Sequence, residues 1–184
     1  MKKLKWGPRS KSYLNPKILE ALLIELANAV LFEKGFDHSV IKSLRNEVEQ
    51  NGTGSSSKLK FPDSFHNINK KEGRERSWAI DVIPYPFVCW PDPNKQRPEV
   101  YAKDLGRMYS LIAVYRATAI EKGIPIIVGA DWDGDWNFRD QDFDDLPHIR
   151  LVSLDRLKPK VDESEYKEIV EKAAKFDQMK KICG

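Results

Sequence analysis

Three residues of this chain have the types and order of a metal site. In the stretch "DSFHNINKKEGRERSWAIDVIPYP", His66 is followed fifteen positions later by Asp81 in a short apolar run. His148 opens another apolar run, in "DDLPHIRL", and Asp145 lies three residues before it with Pro147 between them. A hydrolytic zinc site uses three ligands of the types His, Asp and His and leaves the fourth position to water. The metal brings the pKa of that water towards neutrality, and a nearby carboxylate takes its proton during attack on a carbonyl. On residue types His66, Asp81 and His148 are the candidate ligands and Asp145 the candidate base. Asp144 is the rival base; its place in the run points it to solvent. His38, the remaining histidine, precedes a strand in a different context and reads as structural or exposed.

A second acidic focus is "DWDGDWN", with Asp131, Asp133, Asp135 and Asn137 at alternate positions. Alternating oxygen ligands are what a calcium loop offers. The glycine stands fourth in the run, however, and the twelfth position is Asp142 rather than Glu, so a solvated acidic loop is the preferred reading. Trp78, Trp132 and Trp136 lie near these segments. Tryptophans beside apolar strands usually belong to the core, and Trp132 is the one expected in a cleft. Cys89, in "FVCW", reads as a small buried hydrophobe without a partnering histidine motif.

The candidate residues need elements to hold them. "NPKILEALLIELANAVLFEKG", residues 15–35, predicts an amphipathic helix with Asn15 as cap, Pro16 in its first turn and Gly35 at its stop. "HSVIKSLR" predicts a short strand over 38–45, and residues 51–64 a Gly/Ser loop. "WAIDVIPY", residues 78–85, alternates apolar and polar and predicts the strand that carries Asp81. The longest helical pattern covers 97–123, "IPIIVGADW" contains a buried strand, and residues 147–154 predict another strand, which starts beside His148. Residues 162–181 predict a charged helix with an apolar stripe of Tyr166, Ile169, Val170, Ala173 and Phe176. The mixed order implies an α+β class. No repeat or linker composition divides the chain, so a single domain over 1–184 is expected, with its motif-bearing core over about 38–154 and a C-terminal charged helix over 155–184.

Bulk properties set the outer limits. The chain has 184 residues, 41% apolar, with five tryptophans, which suits one folded domain with a proper core. Net charge is +3, but five of the first twelve residues are Lys or Arg. Such a run fits weak attraction to a polyanion; a solvated tail is the simpler reading, and no nucleic-acid partner is expected. Two distant cysteines, Cys89 and Cys183, imply a reducing compartment at synthesis and no disulfide scaffold. No stretch approaches the roughly 20 apolar residues a spanning helix needs, and the basic start lacks the apolar core of a secretory signal.

The blocks "SFH", "SWAID" and "DLPH", in that order, resemble the signature of the D-alanyl-D-alanine carboxypeptidase and L-alanyl-D-glutamate endopeptidase family of zinc metallopeptidases. That pattern is Ser-x-His, then Gly-x-Ala-x-Asp, then a carboxylate three residues before a final His. Upstream, "SLRNEVEQ" matches the family's Arg and Gln with Arg45 and Gln50. The resemblance runs from about Arg45 to Leu151, and "GADWDGDW" is similar to a segment of phage-encoded members.

The resemblance implies a hedgehog-type α+β fold, with a small antiparallel sheet flanked by helices. It implies one catalytic Zn²⁺ on His66, Asp81 and His148, Asp145 as base, and Arg45 steadying the carbonyl oxygen. Gln50, Ser64 and Trp132 are then expected on the substrate side. The implied substrate is the peptide stem of bacterial peptidoglycan, at the L-Ala–D-Glu bond first and at a terminal D-Ala as the alternative. A non-catalytic binding protein keeping the same fold is the competing class. An endolysin-like monomer, made in the bacterial cytoplasm without a signal peptide and released to the wall by a holin or carried on a virion, is the implied setting. This chain departs from the family in three places. The spacing from His66 to Asp81 is longer, making residues 67–76 an enlarged loop; Ser77 replaces a glycine; and Arg150 stands where relatives carry an acidic residue.

Overall fold

Two periodicities in the chain build the two layers of the molecule. The computed structural model describes residues 4–52, 59–88, 91–135, 137–138 and 143–152, and the fold is that of the unit Met1–Leu151. Helices α1 (Pro8–Tyr13), α2 (Ala21–Asn28), α3 (Glu47–Asn51) and α4 (Pro98–Lys122) accompany strands β1 (His38–Lys42), β2 (Ala79–Pro84), β3 (Ile126–Val128) and β4 (His148–Leu151). The strands form one antiparallel sheet in the order β1-β2-β4-β3. This is the small antiparallel sheet with helices expected of an α+β fold. Among the described residues no helix is long and apolar enough to cross a membrane.

Alternation along the strands separates core from site. Ile80 and Val82 of β2, Val40 of β1, Val128 of β3 and Ile149 of β4 are buried in the core. The residues between them, Asp81 and His148, turn to the other face, because successive strand side chains point oppositely. Helix α4 meets the core through Met108, Leu111, Ile112, Tyr115 and Ala119, spaced at helical intervals. Leu23, Leu26 and Val30 of α2 and the turn after it complete this layer. Gly123 ends α4 with φ of 64°, a left-handed conformation that glycine adopts without penalty.

The helix expected over 15–35 is shorter. Asn15 caps a turn, its Oδ1 accepting from Lys17 N at 2.9 Å, but the helix starts only at Ala21. Residues 18–20 instead pair with the chain leading into β2: Ser77 N donates to the Ile18 carbonyl (2.9 Å) and Glu20 N to that of Ser77 (3.1 Å). Those long-range bonds occupy groups a helix would need. At the far end α2 runs into a wider π turn, Ala29–Glu33, before Gly35. Strand β1 stops at Lys42 rather than Arg45, and the following residues bend towards the site. Helix α3 was not expected; Asn46 and Glu49 form a reciprocal capping box that starts it. The expected charged helix over 162–181 lies outside the described residues, as do Cys89, Cys183, Trp136 and Asp142.

Candidate metal centre

Strand register brings two of the three candidate ligands together. Asp81 on β2 is the direct antiparallel partner of His148 on β4, so their side chains leave the same face as neighbours. His66 reaches them from a loop whose backbone is tied on both sides. Arg45 N donates to the His66 carbonyl (2.9 Å) and Trp78 N to that of Phe65 (2.8 Å). The result is a buried cluster. His66 Nε2 lies 3.1 Å from Asp81 Oδ1 and 3.1 Å from His148 Nδ1, and His148 Nδ1 lies 3.3 Å from Asp81 Oδ1.

This donor set fits a tetrahedral cation. Ligand atoms about 2.0–2.1 Å from zinc at tetrahedral angles stand roughly 3.3 Å apart, the spacing seen here. His66 Nδ1 sits 2.6 Å from the Ser43 carbonyl. A carbonyl only accepts, so Nδ1 carries the hydrogen and Nε2 presents a lone pair to the cluster. Such a bond fixes tautomer and ring orientation in metal-binding histidines. Asp81 Oδ2 accepts from Arg45 Nη2 at 2.6 Å, which leaves Oδ1 for the cluster. Burial works against ionisation of Asp81, but the two imidazoles hold its carboxyl well below the usual range. His148 is pushed down by burial, favouring the neutral ring that a metal requires.

Asp145 is placed by backbone rather than by side chains. His148 N donates to the Asp145 carbonyl (2.9 Å), closing a turn over Leu146 and Pro147. Gly129 grips that turn from both ends: its N–H donates to the His148 carbonyl (2.7 Å), and its carbonyl accepts from Asp145 N (2.8 Å). A Cβ on Gly129 would stand 2.2 Å from the Asp145 carbonyl oxygen, so only glycine allows this approach. Burial raises the Asp145 carboxyl above its usual range, and the charges of His148, Asp81, His66 and Arg45 also act on it. Asp144 is exposed, as expected of it.

The other candidates take up separate surroundings. The Trp132 ring is half-buried, 5.4 Å from that of His148, and its Nε1 donates to the Phe143 carbonyl (2.8 Å). Ser64 and Gln50 are both buried. Ser64 Oγ accepts from His66 N (3.3 Å), and Gln50 Nε2 donates to the Leu59 carbonyl (2.7 Å). Trp78 packs against the core. His38 is structural: its Nδ1 donates to the Phe36 carbonyl (2.8 Å) and its Nε2 accepts from the Tyr115 hydroxyl (2.6 Å). Burial lowers its pKa to about 4.

Asp131, Asp133 and Asp135 do group together. Asp131, however, is buried, with one oxygen paired to Arg116 and the other accepting from Gly134 N (2.8 Å). That chemistry anchors a loop. Two residues near the centre have little signal in the sequence: Gly129, which holds the Asp145 turn, shows only as a glycine in "GADW", and Arg74, bonded to the backbone before His66, shows only as one cation of a polar run.

No family model matches the chain, and no curated protein matches it. Among solved structures the chain is similar to the L-Ala D-Glu endopeptidase ChiX of Serratia marcescens, at 19% sequence identity and a TM-score of 0.50. The match covers 83% of this chain and 93% of that one. At that identity the likeness concerns the backbone, and it shows that the two chains share an α+β fold.

Proposed function

We propose that this protein is a zinc-dependent peptidase acting on the peptide stem of bacterial peptidoglycan, at the L-Ala–D-Glu bond. The observation that carries the reading is the buried His66–Asp81–His148 cluster with Asp145 clamped beside it. The fold shared with an L-Ala D-Glu endopeptidase supports the choice of substrate, as do the sequence blocks that hold these residues.

His66, Asp81 and His148 would hold the zinc ion, which when bound would supply Lewis acidity towards water and the scissile carbonyl. The protein's own residues do the rest. Asp145, whose hold on a proton is strengthened by burial, takes one from the attacking water and delivers it to the leaving amine. Arg45 is fixed through one nitrogen by Asp81. A guanidinium has five N–H donors in a rigid fork, so others remain for a carbonyl oxygen on which charge develops. Trp132, over the His148 ring, contributes an apolar wall to the substrate groove.

The test is direct. Purified protein is expected to hold one zinc per chain and to release new amino groups from murein, with activity lost to a chelator and restored by zinc. Product masses are expected to show free L-Ala ends and D-Glu amino termini. Stoichiometric zinc without chelator-sensitive cleavage would sink the enzyme reading, and loss of D-Ala alone would move the cut to the end of the stem.

A further inference from the structure

The enlarged loop between His66 and Asp81 exposes most of its residues but turns Asn67, Asn69 and Arg74 inward. Asn69 and Arg74 pair reciprocally across it, Asn69 N to the Arg74 carbonyl (2.9 Å) and Arg74 N to that of Asn69 (3.0 Å). Between them lies a single 3-10 turn, Lys70–Glu72, and Gly73 reverses the chain at φ of 73°. This closure carries Arg74 inward, where only 2% of its surface stays exposed.

There its guanidinium meets the backbone leading into His66. Nη1 donates to the Ser64 carbonyl (2.9 Å), and Nη2 to those of Asp63 (3.1 Å) and Pro62 (3.4 Å). The Glu72 carboxylate lies 2.9 Å from Nη2, offsetting the buried charge. The guanidinium also lies over the Phe65 ring, 4.7 Å from its centroid, and Arg150 lies 4.2 Å from the same centroid. Arg150 follows His148 by two residues on β4 and pairs with Ala79, two before Asp81. The residue before one ligand is thus held between the loop and the strand that carries another.

We infer that Arg74 is a positioning residue for His66, and that the enlarged loop is an internal strut for the metal centre. The inference rests on the reading of the cluster as a zinc site. A fork of donors spanning successive carbonyls suits arginine; a lysine ammonium keeps the charge but not the geometry.

The experiment compares Arg74→Met and Arg74→Lys with the whole protein, measuring zinc affinity by competition with a chelator. Both variants are expected to bind zinc about 10–100-fold more weakly, the usual cost of losing a supporting partner of a ligand. Arg76→Met, at an exposed position of the same loop, is expected to keep full affinity. Ile112→Val, a core change far along the chain, controls for stability and is also expected to keep it. In metal-free protein, the proton on His66 Nδ1 should give a hydrogen-bonded imidazole signal by NMR that Arg74→Met shifts or loses. Wild-type affinity in both Arg74 variants, or a loss no greater than that of Ile112→Val, would overturn the inference. An unchanged His66 signal would overturn it too, whatever the metal result. Wild-type protein that binds no zinc would instead defeat the metal reading itself.

Discussion

The two sides of the His66–Asp81–His148 cluster are held by different physics. Asp81 and His148 sit on paired strands, and their meeting follows from ladder register alone. His66 sits on a loop held by bonds to individual groups: its ring to Ser43 and its carbonyl to Arg45, with Phe65 bonded to Trp78 and Ser64 to Arg74. Strand pairing is cooperative and buried on a hydrophobic core. The loop side has no ladder to rely on, and it uses a buried guanidinium and fixed carbonyls instead. Geometry supplied by a sheet needs few special residues; geometry supplied by a loop needs many.

Breaking the strand side should have the largest effect. His148→Ala is expected to abolish both zinc binding and murein cleavage, read by metal content and amino-group release. Asp145→Asn tests the turn attached to that strand. It is expected to keep zinc while turnover falls about 10²–10⁴-fold, the usual contribution of a general base; full activity would remove Asp145 from the mechanism. Gly129→Ala sharpens the contrast, because it disturbs backbone and no ligand. The new methyl must push the Asp145 carbonyl away, at about 1–3 kcal/mol of stability. Turnover should drop on the order of 10²-fold through misplacement, with zinc affinity less affected than in the Arg74 variants.

His38, away from both sides, supplies the smallest effect on the centre and a separate effect on stability. Its pKa in the folded protein is about 4 against an ordinary 6.5. A group with a lowered folded pKa that is neutral when deprotonated stabilises the fold above its unfolded pKa. That contribution is lost as pH falls from about 6.5 to about 4, on the order of 3 kcal/mol in all. Urea titrations at pH 7 and 4.5 should therefore show a smaller acid loss in His38→Gln than in the natural protein. Zinc affinity at pH 7 should not change.

The sequence made the strand side legible and the loop side largely not. Asp81 and His148 lie in short apolar runs whose period assigns strand and face together. The strand over 78–85 and the helix over 97–123 were found within a residue or two for the same reason. "NINKKEGRER" carries the composition of a solvated loop, and nothing local says that one of its cations turns inward. The start of α2 was misplaced because Ser77, far along the chain, competes for the backbone of residues 18–20. Helix α3 has a capping box in its sequence but, at five residues, is too short to show a helical period. Gly129 shows only as a glycine until the turn it touches is known.

The pairing of Asp81 with His148 has a consequence for how the chain finds its native arrangement. Sliding β4 along β2 by one residue would put Ile149 opposite Asp81 and aim His148 at the greasy layer under the sheet. An ion bound at the correct alignment adds about 4 kcal/mol when present at 1,000 times its Kd, and the shifted alignment has no site to receive it. On the zinc reading proposed above, metal uptake would thus act as a check on strand alignment, rewarding this hydrogen-bonding frame of the sheet over the shifted one.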